Sequence, residues 1–174
     1  MRKAIGVLAA VVLVGMFGGY TARGAEDHNK ERYELAEALE RAKISLAQGL
    51  TASESEGTPI SGKFEVADGK LQLSVYTMKG DKFAEVIIDH TTGKIAKVEA
   101  ITSGDDLTAA KMQSAAMAKA TVSLHEVIEK AVKANQGFAA VSVTPSLKEG
   151  HPVADVTVIN DEGQELKTVS EPLS

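Results

Sequence analysis

Residues 84–98 read AEVIIDHTTGKIAKV. A short apolar run meets Asp89-His90-Thr91-Thr92-Gly93, and a second β-like run follows, so the segment predicts a strand, a tight turn and a returning strand. In such a turn Asp89 accepts backbone N–H groups, and Gly93 takes the positive φ that a side chain would resist. Asp89 and His90 also invite a chemical reading, as metal ligands or an acid–base pair. Neighbours on a strand point to opposite faces and do not easily converge on one ion, so the turn role is the better account of both.

Upstream of this hairpin the apolar period is two. Phe64 and Val66 lead into Asp68-Gly69, a pair that tolerates the φ angles of a hairpin turn, and Leu71, Leu73 and Val75 then alternate with Lys70, Gln72 and Ser74. Lys79-Gly80-Asp81 supplies another turn, so Phe83 to Asp89 and Lys94 to Ile101 complete a four-stranded antiparallel meander. Further upstream the period is helical. Leu35, Leu39 and Ala42 fall on one face of a helix from about Lys30 to Lys43. Ser45 and Gln48 form a capping box that opens a second helix, which Gly49 weakens and Gly57-Thr58-Pro59 stops. Glu26 to Arg32 is polar and charged and reads as a frayed start.

Downstream, Ser103-Gly104-Asp105-Asp106 places acidic residues at the positive end of a helix from Leu107 to Ala120. Val122-Ser123-Leu124 then repeats Ile44-Ser45-Leu46, with Glu126 in the place of Gln48 and 78 residues separating Ser45 from Ser123. Leu124, Val127, Ile128, Ala131 and Val132 form an amphipathic stripe that ends at Asn135-Gln136-Gly137. Three strands follow, Ala139 to Val143, Val153 to Ile159 and Glu165 to Val169, divided by turns at Lys148-Glu149-Gly150 and Asp161-Glu162-Gly163. The recurring order predicts an α+β fold of two tandem two-layer units, residues 25–102 and 103–174, each with two helices packed on an antiparallel meander of three to four strands.

Residues 1–24 have another character. Arg2 and Lys3 precede an apolar run from Ala4 to Phe17, and Ala22 and Gly24 suit a cut before Ala25, the pattern of a secretory signal peptide. The run is shorter than the roughly 20 residues of a spanning helix. A periplasmic or secreted protein is expected, with no membrane segment after cleavage. The 174 residues carry 19 Lys plus Arg against 24 Asp plus Glu and no Cys. That balance argues against nucleic acid as a partner, because phosphate binding needs concentrated basic residues. The missing Cys removes disulfides, thiolate metal sites and cysteine nucleophiles.

No Gly-x-Ser-x-Gly turn and no phosphate-binding glycine loop occurs. His125 and Glu129 lie one helical turn apart, but nothing at familiar spacing supplies a third metal ligand, and Glu126 is accounted for by its cap. His28 and His151 read as exposed loop residues. No catalytic residue, metal or cofactor is therefore expected. Tyr76 and Met78 sit on the strand face opposite Leu73 and Val75. If the latter pair packs on the helices, Tyr76 and Met78 point outward as adaptable contact groups; if the strand ends twist or bulge, they are partial core. Phe83 shares this ambiguity, and the three residues are the candidate binding site.

The helix starts at Ile44-Ser45-Leu46 and Val122-Ser123-Leu124, together with Val86-Ile87-Ile88-Asp89-His90-Thr91-Thr92-Gly93-Lys94-Ile95, resemble the PepSY family of small exported domains. The likeness spans Lys43 to Ala100 and, more weakly, Thr121 to Ser170, where the Asp-x-x-Thr-Gly turn is missing and Glu171-Pro172 stands near its place. The architecture is also similar to that of β-lactamase-inhibitor proteins. The resemblance implies a non-enzymatic binding protein that restrains or assists a peptidase through an open sheet face or edge. The alternative is a periplasmic small-ligand or metal-binding sensor module, with a pocket between helices and sheet or between the repeats. An incomplete second sheet would leave an unpaired edge for a partner strand or for a second copy in a homodimer.

Overall fold

The computed structural model describes residues 22–174. The expected signal peptide lies outside these residues except for Ala22, Arg23 and Gly24, which open the first helix.

The alternation around Phe64 to Ile101 forms four strands, β1 (Thr58–Ala67), β2 (Lys70–Lys79), β3 (Lys82–Ile88) and β4 (Ile95–Ile101). Each pairs with the next through antiparallel hairpins. The second series is β5 (Phe138–Lys148), β6 (His151–Asn160) and β7 (Leu166–Pro172), again joined antiparallel. The two meanders share a single seven-stranded sheet in the order β4-β3-β2-β1-β5-β6-β7. Their first strands meet at its centre, where Gly62 pairs with Val143 and Lys63 with Ser142. Each first strand would otherwise leave a row of backbone groups open to water, and pairing them removes two edges at once.

Among the described residues four helices complete the α+β fold: α1 (Ala22–Leu39), α2 (Leu46–Ser53), α3 (Gly104–Met117) and α4 (Leu124–Ala134). Leu46 and Leu50 of α2 and Leu124, Val127, Ile128 and Ala131 of α4 are buried with Leu73, Val75, Val86, Ile88, Val143, Val156 and Val158 in one continuous core. Each of these Leu, Val and Ile side chains contributes about 1.5–3 kcal/mol when fully removed from water. Both helices start on complete capping boxes, Ser45 with Gln48 and Ser123 with Glu126.

Several boundaries differ from the sequence expectation. The polar stretch Glu26 to Arg32 is helical rather than frayed, and Arg32 donates from Nε to the Gly163 carbonyl at 2.7 Å. That contact ties α1 to the β6–β7 turn. Thr58 and Pro59, read with Gly57 as a helix stop, belong to β1 together with residues 60–62 that precede the expected strand, and Pro59 lies next to a register shift at the strand's start, the kind of position where a missing N–H does least harm. Gly49 marks close packing rather than a weak helix: a Cβ there would lie 2.5 Å from Leu73 Cδ2.

Candidate functional site

The candidate binding residues are organised by strand register. Ser61, Tyr76 and Glu85 lie opposite one another across β1, β2 and β3, and Met78 lies opposite Phe83. Directly paired residues share a face, so this row is the back of the sheet relative to Val75 and Val86. Helix α3 lies against it. Tyr76 donates from its hydroxyl to Asp106 Oδ1 at 2.8 Å, Ser61 donates to Gln113 Oε1 at 2.8 Å, and Ser114 Oγ donates to Met78 Sδ at 2.8 Å. Tyr76 and Met78 are thus half-buried contacts of α3. Phe83, also half-buried, lines a depression of about 450 Å³ with Thr77, Lys79, Lys82 and Ala100.

The row is acidic. Burial, the Asp106 hydrogen bond and the nearby charges of Asp106, Glu85 and Glu65 push the Tyr76 phenol well above its ordinary range. Burial likewise raises the Glu85 carboxyl above its usual 4.5; a hydrogen bond from Ser74 opposes this, while Glu65, Asp106 and Glu99 add to it. The sequence could not reveal this cluster, because its members come from β1, β2, β3, β4 and α3.

Asp89 is a turn residue. Its Oδ1 accepts from Thr91 N at 2.8 Å, Thr91 Oγ1 at 2.7 Å and Thr92 N at 3.1 Å, and Gly93 has φ 72°. These bonds to Thr91 and Thr92 hold its carboxyl down at about 2. The His90 carbonyl accepts the backbone N–H groups of Lys43 and Ile44, at 2.8 and 3.3 Å. His125 Nε2 lies 3.0 Å from Thr51 Oγ1 and 4.0 Å from Glu54 Oε1, a polar link between α2 and α4. Among the described residues no group of three His and carboxylate side chains is placed to hold a metal.

On β5 to β7 the face away from α4 is made of Ser142, Thr144, Asp155, Thr157, Thr168 and Ser170, which the register sets in rows. Thr144, Thr168 and Ser170 are exposed, and Leu166 beside them is 43% exposed. Nothing in the sequence reading singled out this surface, although the alternation of Thr and Ser with Val was its signal.

No protein-family model matches the chain, and no curated protein matches it. Among solved structures it is similar to a crystal structure described as a "putative lipoprotein" from Clostridium difficile 630, with a TM-score of 0.39, 10% identity, and coverage of 75% of this chain and 95% of that one. Among the described residues no helix is long and apolar enough to cross a membrane.

Proposed function

We propose that the chain is an exported, non-enzymatic binding protein of two PepSY-like halves that engages a protein partner through its open sheet. The carrying observation is that open sheet: among the described residues β4 and β7 end it without partner strands, and the back of β5 to β7 leaves Thr144, Leu166, Thr168 and Ser170 exposed. Exposed strand faces and edges are standard protein-recognition surfaces. Export rests on Arg2, Lys3 and the apolar run behind them.

The two-unit reading draws support from equivalent backbone contacts. Lys43 and Ile44, just before the first capping box, donate to the His90 carbonyl, and Thr121 and Val122, just before the second, donate to the Leu173 carbonyl. The same 78-residue spacing relates both donor pairs and both caps. In each half the approach to the capped helix is pinned just past the end of that half's third strand, β3 in the first and β7 in the second.

A peptidase as the partner is what the family resemblance implies. The test is affinity capture by the purified exported chain from the extract of the exported compartment at physiological salt. A retained peptidase whose activity the chain alters, with both effects lost in Thr168→Glu, is the expected result. A clean eluate, or a peptidase whose rate is unmoved, refutes the peptidase link.

A further inference from the structure

Strand β4 reads Ile95-Ala96-Lys97-Val98-Glu99-Ala100-Ile101. It is the same in residue character read from either end: Ile, Ala, a charge, Val, the opposite charge, Ala, Ile. It is also an edge strand, hydrogen-bonded among the described residues to β3 alone, and its five central residues are exposed. Val98, at the centre, is 42% exposed.

From this coincidence we infer that β4 pairs antiparallel with β4 of a second copy, about a twofold axis through Val98, to make one continuous sheet across a homodimer. An isologous contact brings each residue opposite its mirror position in the strand. Here that sets Val98 against Val98, Lys97 against Glu99 twice, Ala96 against Ala100 and Ile95 against Ile101. Opposite residues share a face, so the two Lys–Glu pairs lie on one side of the extended sheet and the Val pair on the other. No Pro interrupts β4, which leaves its outward N–H and C=O groups free to form the ladder.

In the single chain Lys97 Nζ lies 2.6 Å from Glu99 Oε1, with both side chains more than half exposed. Charges on an edge strand ordinarily repel or solvate away a foreign strand. The order of this pair makes it complementary to itself, so the guard admits one partner, another copy in register. A one-residue slip sets each charge against Val or Ala, a two-residue slip sets Lys97 against Lys97 or Glu99 against Glu99, and either loses the match. The bulge at Ala96, where the β3–β4 register shifts, falls outside the central three residues.

The other edge lacks this freedom. Leu166-Lys167-Thr168-Val169-Ser170-Glu171-Pro172 of β7 also sets Lys against Glu about its central Val, but its charges are engaged. Glu171 is 8% exposed and bonded to Lys130, and Lys167 pairs with Glu165 at 3.1 Å and lies 4.3 Å from the Phe138 ring centroid. Ser170 accepts from Lys148, and Pro172 has no N–H to offer. Of the two edges, β4 is the one built to meet itself.

The test is sedimentation equilibrium of the full chain purified after export, with Lys97→Glu, Glu99→Lys and the double variant carrying both, each checked for native circular dichroism. The wild type should dimerise from micromolar to near-millimolar concentration. Each single variant should raise the dimer Kd about tenfold or more, because it sets two like-charge pairs across the seam. An equal mixture of the two single variants should form a heterodimer, since one strand is then wholly acidic and its partner wholly basic, and the double variant should self-associate like the wild type. A monomeric wild type, a dimer indifferent to the single variants, or a chain that pairs only with a strand from another protein overturns the proposal. The outcome is independent of whether the captured partner is a peptidase.

Discussion

Asp89 and Glu85 are carboxylates displaced in opposite directions, and each makes a pH prediction with its own sign. Asp89 sits at about 2 in the folded chain against an ordinary 3.8, because the Thr91 and Thr92 bonds favour its charged form. Its contribution is therefore complete above about pH 4 and is lost as the pH falls toward about 2. Asp89→Asn should lower the thermal midpoint at neutral pH and flatten the decline between about pH 4 and pH 2 relative to wild type, as followed by circular dichroism. Glu85 is raised by burial and by Glu65, Asp106 and Glu99, so its contribution is present below its ordinary 4.5 and disappears as the pH rises through the raised value. Glu85→Gln should raise the midpoint at pH 7, and the gain over wild type should shrink on acidification. A lower midpoint at pH 7 would show that the Ser74 hydrogen bond outweighs the crowding. Asp89 was legible in sequence because a turn acts on its own neighbours; Glu85 was not, because its neighbours arrive from four other elements.

Among the elements, α2 and α3 separate what local pattern reveals from what it hides. The capping boxes at Ser45 and Ser123 are both present as read, since a cap is satisfied within three residues. The depth at which α2 sits was not readable. Gly49 faces Leu73, and a Cβ at Gly62 would lie 2.9 Å from Leu50 Cδ2, so two glycines on different elements let α2 settle onto β1 and β2. Gly49→Ala improves helix propensity, which alone would stabilise the chain by about 0.8–1.0 kcal/mol. Overpacking against Leu73 costs about 1–3 kcal/mol and should win. Urea unfolding should therefore show a lower midpoint for Gly49→Ala; a higher one would mean that Leu73 yields without strain. Helix α3 hides in a different way. Its residues are mostly small, and only the register of β1, β2 and β3 reveals that Asp106, Gln113 and Ser114 meet Tyr76, Ser61 and Met78.

For the whole molecule, the strands and their hairpin partners follow from alternation and turn residues, whereas the joining of two meanders into one sheet does not. The joint is the Gly62–Val143 and Lys63–Ser142 pairing, between residues about eighty positions apart, and no local signal records it. Because buried residues of both halves form one core across this joint, chemical unfolding should be a single cooperative transition with coincident near- and far-ultraviolet dichroism. Two separated transitions would show that each half is stable by itself.

The sheet order also sets a timetable. Five of its six ladders join strands that follow one another in the chain, and only β1–β5 joins distant ones. Neighbouring hairpins close short loops and form within microseconds, whereas the central ladder must first gather a long intervening chain. The strands in the middle of the finished sheet are thus the last to find each other. Until they do, β1 and β5 are two further open edges in a newly exported chain, the moment at which pairing with the wrong strand is easiest.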